Sequence, residues 1–297
     1  MLNFIRFDLR KMVKSPALYV IIILMFVIGG IGYHVTQEYG YGQSYQVYQQ
    51  RQDQAQVKYE KNRTKQSDDQ AGIEFEPAPS PRLDEEAYQV LHQEAYDNFK
   101  LDRAAWAFMM NMAKCSWIFF VLFLGLDFSS GYLKNLLPLE NAKRSWLFAK
   151  FGVALAYGLL SLLLGLVFGA VTHYLSGQAL TGIEWLALAK HFILVECLLL
   201  TIMAIASSIL LLSQSRTLGV LIGALVSVGM LSSVLSFVGE WLQVPLTKWI
   251  FFIRYEGIAF NQSSQMIELF LLALSQLALI TYFNYYRIKR MDFNFDH

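Results

Sequence analysis

The sequence predicts an all-α polytopic membrane protein. It has six transmembrane helices, an N-terminal interfacial helix, an extracellular helical hairpin between spans 1 and 2, and an outer re-entrant element between spans 5 and 6. Three observations carry this. Hydrophobic residues make up 55% of the chain and charged ones only 16%, against roughly a quarter charged in soluble domains. Apolar runs recur near the ~20 residues that cross a bilayer. The Lys and Arg of the short connections all fall on one side when the spans number six.

Residues 1–16 come first. Leu2, Ile5, Leu9 and Met12 recur at helical spacing while Arg6, Arg10 and Lys14 occupy another face. That pattern describes an amphipathic helix lying on the inner leaflet with its cations near anionic headgroups. The plainer reading is a positive flank for the first span. Residues 17–32 form that span; no small-residue cleavage site follows it in Ile28-Gly-Gly-Ile-Gly-Tyr-His, so it reads as an uncleaved anchor.

Residues 33–105 form a long outer segment. Tyr41, Tyr45, Tyr48, Ala55 and Tyr59 make one stripe, interrupted at Gln52, and Tyr88, Leu91, Ala95 and Phe99 make a second after an Asp84 cap. Between them Glu76-Pro77-Ala78-Pro79-Ser80-Pro81 breaks helix. The expectation is two antiparallel helices, the second running unbroken into span 2; a partly disordered loop is the alternative.

The remaining spans are expected at 106–126, 147–171, 188–212, 218–238 and 266–286, with a tail at 287–297. Gly165-x-x-x-Gly169 and Gly219-x-x-x-Gly223 are patterns that let helices approach closely. Residues 239–265 hold Trp241, Trp249, Phe251, Phe252 and Tyr255 around Pro245, which suits a pair of short helices re-entering at the outer interface. Within the spans, Lys114 and Glu196 are costly unless paired or wet. They are candidates for a substrate path, and for a pair with each other. Glu268 is read as reaching the outer interface.

The cations sit at Arg6, Arg10, Lys11 and Lys14, at Lys134, Lys143, Arg144 and Lys150, at Arg216, and at Arg287, Lys289 and Arg290. Short loops rich in Lys and Arg stay inside, so both termini and the 127–146 connection are expected to be cytoplasmic. The net charge of +1 gives no nucleic-acid signal, because the charges are segregated. Cys115 and Cys197 lie in apolar stretches, and His34, His92, His173, His191 and His297 show no ligand spacing. No metal site is expected from them.

The 127–146 connection carries more than topology. It reads Asp127-Phe-Ser-Ser-Gly131-Tyr-Leu-Lys134-Asn-Leu-Leu-Pro138-Leu-Glu-Asn-Ala-Lys143-Arg144, with Lys150 following. An acid-x-x-x-Gly, an apolar turn with Pro, an Arg and a Lys together resemble the loop after the second span of ABC-2 type transporter permeases. Asp8-Leu-Arg-Lys11 is similar to the acid-x-x-Lys of that family's interfacial helix. Both acids are Asp where the family more often has Glu. The resemblance implies a permease subunit in a bacterial cell membrane, working beside a second permease copy or paralogue over a cytoplasmic ABC ATPase. It implies that Asp8, Lys11, Asp127, Gly131, Lys134, Pro138, Arg144 and Lys150 serve ATPase coupling. The family also has an outer re-entrant element after span 5. ATP and Mg would be bound by the partner, with no cofactor in this chain, and the usual direction is export of an amphipathic or hydrophobic substrate such as a peptide, drug or lipid-linked molecule.

Absences agree with this division of labour. No Gly-x-x-x-x-Gly-Lys-Ser/Thr occurs, and no Gly-x-Ser-x-Gly or His-Glu-x-x-His. The chain is therefore expected not to be an enzyme. A membrane sensor or immunity protein, binding a ligand through its Tyr-rich outer segment, is the main alternative.

Orientation is directly testable. With Cys115 and Cys197 removed, Ser67→Cys should react with an impermeant maleimide on intact cells, and Ser145→Cys only after permeabilisation. The reverse pattern would overturn the topology.

Overall fold

In a computed structural model the protein is described over residues 2–39, 44–68, 81–129, 140–177, 183–213, 215–227, 229–260 and 265–290. The chain begins with α1 (Leu2–Val13) and turns at Lys14–Ser15. It enters α2 (Pro16–Tyr39) at a proline, which suits a first helical position because its missing N–H would be unsatisfied there anyway. Two helices of the intervening segment follow, α3 (Tyr45–Asp68) and α4 (Glu85–Asp97). Then come α5 (Leu101–Ser129), α6 (Glu140–Leu175) and α7 (Trp185–Ser213). The shorter α8 (Arg216–Ser227), α9 (Met230–Leu242), α10 (Leu246–Trp249) and α11 (Phe251–Glu256) lead to α12 (Met266–Arg290).

Five stretches are long and apolar enough to cross a bilayer: Pro16–Thr36, Leu101–Asp127, Arg144–Leu175, Trp185–Ser213 and Met266–Arg290. By length and composition this is a multi-pass membrane protein. Helices α5 and α7 form its centre and α2 and α12 its edges. Of their most apolar windows, 61% and 67% are buried in α5 and α7, against 17% in each of the other two.

Helix α5 packs along α6, α7 and α8 and also touches α2. Glycine sets the closest of these crossings. A Cβ at Gly165 would lie 2.8 Å from the Ala105 carbonyl oxygen, and one at Gly169 would lie 2.5 Å from that of Leu101. The Gly219/Gly223 pair brings α8 onto Val121 and the Trp117 carbonyl in the same way. Both small-residue patterns are thus packing surfaces against one helix. Helix α12 lies along α7, where Asn284 is fully buried. It accepts a hydrogen bond from Ser208 at 2.6 Å and donates one to the Ala204 carbonyl at 2.8 Å.

The apolar run 218–238, expected as one span, is divided. Helices α8 and α9 meet at Gly229, whose φ of +79° is left-handed, a backbone state glycine adopts without a Cβ clash. Ser232 then donates to the Gly229 carbonyl at 2.6 Å. At 12 residues α8 is roughly 18 Å long, short of a full crossing. The segment after it does contain two short helices, α10 and α11. Gln276 of α12 pins the bend between them, accepting from the Phe251 N–H at 3.2 Å and donating to the Trp249 carbonyl.

The 127–146 connection is shorter as a loop than expected, because α5 runs on to Ser129 and α6 starts at Glu140. In the outer segment, Asp84 caps α4 by accepting from the Ala87 N–H at 2.7 Å. Tyr88 is almost fully buried between Tyr45 and Tyr48, with ring centroids 5.3 and 4.6 Å away. Tyr41 and the Pro-rich turn up to Ser80 lie outside the described residues. Two expectations are corrected here. Helix α4 does not run unbroken into α5, since the chain turns at Asn98–Lys100. Phe99, expected against the tyrosine stripe, instead meets Tyr33 of α2 edge-on at 4.9 Å.

Tyr88 therefore holds the hairpin together. Tyr88→Ala should cost about 2–4 kcal/mol locally. It should speed tryptic cleavage between residues 61 and 82 while the spans stay folded. Unchanged cleavage would show that the tyrosine cluster does not order this segment.

Candidate functional site

At one end of the bundle four ionisable side chains cluster, three of them buried and the fourth, Lys11, half-buried. Helix α1 supplies two of them, Asp8 and Lys11, three residues apart on one face. Asp127 comes from the last turn of α5, and Lys150 stands three turns into α6. Asp8, Asp127 and Lys150 are essentially inaccessible to solvent. Lys150 Nζ lies 2.8 Å from Asp8 Oδ2 and 2.6 Å from Asp127 Oδ2. Lys11 pairs with the other oxygen, Asp127 Oδ1, and also donates to the Phe123 carbonyl at 3.1 Å. The charges alternate in a chain, Asp8–Lys150–Asp127–Lys11, and their formal sum is zero.

Aromatic residues close the site. Trp146 donates its indole N–H to Asp127 Oδ2 at 2.9 Å. The Phe123 ring lies 4.6 Å from Lys11 Nζ and 5.0 Å from Lys150 Nζ, within cation–π range. Asp8 is the least satisfied member, because its Oδ1 has no hydrogen-bond partner among the described residues.

That imbalance has an acid–base signature. Burial pushes the Asp8 carboxyl above its ordinary 3.8, with Lys150 acting against it. Burial pulls the Lys11 ammonium below 10.5, with Asp127 acting against it. A raised carboxyl contributes its full stability below pH 3.8 and loses it as pH rises through the raised value. A lowered ammonium contributes fully above pH 10.5 and loses it as pH falls. In both groups burial opposes the charged form and the neighbouring opposite charge favours it.

Of the eight residues that the resemblance assigns to ATPase coupling, Asp8, Lys11, Asp127 and Lys150 come together here. Gly131, Lys134 and Pro138 lie outside the described residues. Arg144 is elsewhere: its guanidinium lies 5.2 Å from the Tyr285 ring of α12. The two intramembrane candidates are apart in setting. The charge of Lys114 acts on Glu256 at the end of α11. Glu196 turns toward Gly158 of α6, where a side chain would collide with its carboxyl, and its Oε2 is buried without a hydrogen-bond partner among the described residues.

Sequence reasoning missed three polar anchors. Trp146 reads only as an aromatic at a span edge. His191 is buried in α7, with Nδ1 3.1 Å from the Tyr255 hydroxyl and Nε2 2.9 Å from the Phe260 carbonyl, so it fastens α11 and the residues after it. Glu268, expected at the interface alone, forms a two-pronged pair with Arg254 at 2.6 and 2.8 Å. Their partners lie 14 to 69 residues away, beyond any local spacing rule.

No family model, curated protein or solved structure matches this chain.

A buried pair that loses one member strands the other, at about 3–5 kcal/mol. Lys150→Met should therefore lower the melting temperature sharply in detergent. Asp8→Asn combined with Lys150→Met leaves Lys11 and Asp127 balanced and should recover roughly half or more of the loss. A double variant whose loss equals the sum of the singles would show that the groups act independently.

Proposed function

We propose that this chain is the permease subunit of an ATP-driven transporter of the ABC-2 type, exporting an amphipathic or hydrophobic molecule. A separate cytoplasmic subunit binds ATP and Mg and hydrolyses the nucleotide. A second permease copy or paralogue completes the path, and the cation-rich end faces the cytoplasm of a bacterial cell. The observation that carries this reading is the buried charge quartet. Its members come from the two sequence segments that resemble the family, Asp8–Lys11 and Asp127–Lys150, which stand more than a hundred residues apart in the chain.

The quartet suits force transmission. Helix α1 offers an acid and a base, and α5 and α6 offer the complements, so α1 cannot shift without the ends of both helices following. The 130–139 connection joins those same two ends. Closure of an ATPase pair beneath it would push on α5 and α6, and the ion pairs would pass that movement to α1. A buried ionic latch is well suited to this because it breaks all at once rather than stretching: a charge half removed from its partner is still desolvated.

Purification of the full chain from its host in mild detergent should bring down a P-loop ATPase, and the chain freed of that protein should hydrolyse no ATP. In the reconstituted complex, the Asp8→Asn/Lys150→Met variant should bind the ATPase but lower its stimulated turnover by about fivefold or more. Wild-type stimulation in this charge-balanced variant would reduce the quartet to a structural role. Failure of any ATPase to accompany the chain would overturn the subunit assignment itself.

A further inference from the structure

At the same end of the bundle a groove of about 520 Å³ opens between the first turns of α6 and the last turns of α12. Its wall is graded along the helix axis. Arg144 stands at the mouth, over the Tyr285 ring. Helical spacing sets Lys289 one turn beyond Tyr285 on the same face, and it is exposed. One turn deeper is Thr281, whose hydroxyl oxygen is buried without a hydrogen-bond partner among the described residues. Deeper again the lining is apolar, with Phe148 and Phe151 from α6 facing Leu274, Leu277 and Ala278 from α12. Phe148 and Leu274 remain about half exposed.

We infer that this groove binds one anionic phospholipid of the leaflet on the cation-bearing side. The match is one of chemistry at each depth. A phosphate at the mouth meets the Arg144 guanidinium, which offers paired N–H donors for its oxygens. A glycerol ester carbonyl one helical turn below meets the Thr281 hydroxyl, a donor with no partner among the described residues. The acyl chain then runs over Leu277, Leu274 and Phe151, roughly two turns of α12. Basic pockets between transmembrane helices on the cytoplasmic side take anionic headgroups for this reason. A zwitterionic lipid would carry its own cation to the mouth and lose the net attraction. The inference does not depend on an ATPase partner.

Native mass spectrometry of the full chain in detergent, with equal amounts of palmitoyl-oleoyl phosphatidylglycerol and phosphatidylcholine, tests it. Phosphatidylglycerol should be retained about fivefold more, the preference expected from one interfacial cation. Arg144→Gln should bring the two lipids close to equal retention, while Arg144→Lys keeps most of the preference. Ala278→Trp should fill the groove and lower retention of both. Equal retention by the wild type, or a preference untouched by Arg144→Gln, overturns the inference. So does abolition of lipid retention by millimolar glycerol phosphate, which would indicate a site for soluble anions. A groove covered by a second copy would appear as a dimer lost in Ala278→Trp with lipid retention unchanged, and that result also overturns it. Arg144 and Ala278 are both exposed, so neither change should prevent folding.

Discussion

An ammonium or carboxylate taken out of water carries a penalty of several kcal/mol unless an opposite charge stands within hydrogen-bond reach. Three such groups are buried at one end of this molecule, with Lys11 half-buried beside them, and each is paired with a side chain from another helix. Lys150 is the keystone, fully buried and in contact with both aspartates. It holds α1 to α6 through Asp8 and α6 to α5 through Asp127. Lys11 closes the arrangement by returning from α1 to Asp127. The position of a helix such as α1, held by apolar contact alone, is ordinarily loose, because apolar burial has no preferred direction. Here it is fixed in rotation and in register, since a turn of α1 in either sense would strand two charges.

The charge quartet sits on the end of one of the two central helices of the bundle. Helix α5 meets α6 at Gly165 and Gly169, where backbone faces backbone, and meets α8 at Gly219 and Gly223, which lie against the Val121 side chain and the Trp117 carbonyl. The backbone contacts have no rotamers through which to relax. At its far end α5 carries Asp102, whose carboxylate accepts the N–H of Glu184, just before α7, at 2.8 Å. The edge helices are different. Helices α2 and α12 leave most of their apolar surface uncovered, as expected for faces that meet lipid or another protein.

Which features the sequence made legible follows from what local spacing encodes. Run length marked five spans, because hydropathy alone reports them. It also joined α8 to α9, because Gly229 is one small residue in an apolar run and its positive φ leaves no compositional trace. The Tyr45, Tyr48 and Tyr88 cluster was legible as stripes on two helices, whereas the placement of Phe99 on Tyr33 was not, since it depends on a turn at Asn98–Lys100 with no proline or glycine to announce it. The four charges were legible singly through a family resemblance. Their union was not, because pairing across 142 residues between Asp8 and Lys150 is set by the fold. Arg144 shows the limit from the other direction: it shares a short basic run with the latch residues yet faces away from them.

That divergence places the two arrangements on opposite faces of the first turns of α6. Trp146 and Lys150 are four residues apart and share the face turned to α1 and α5. Arg144, Phe148 and Phe151, at spacings of four and three, share the face turned to α12. The ionic latch and the groove are thus two sides of one rigid cylinder with no loop between them to absorb motion. Rotation of this segment that draws Lys150 from Asp8 must also swing Arg144 relative to Tyr285, so whatever occupies the groove contributes to the latch equilibrium. By reciprocity of linked equilibria, the state of the latch then sets affinity in the groove. Two chemically unlike arrangements thus share one helix, on opposite faces.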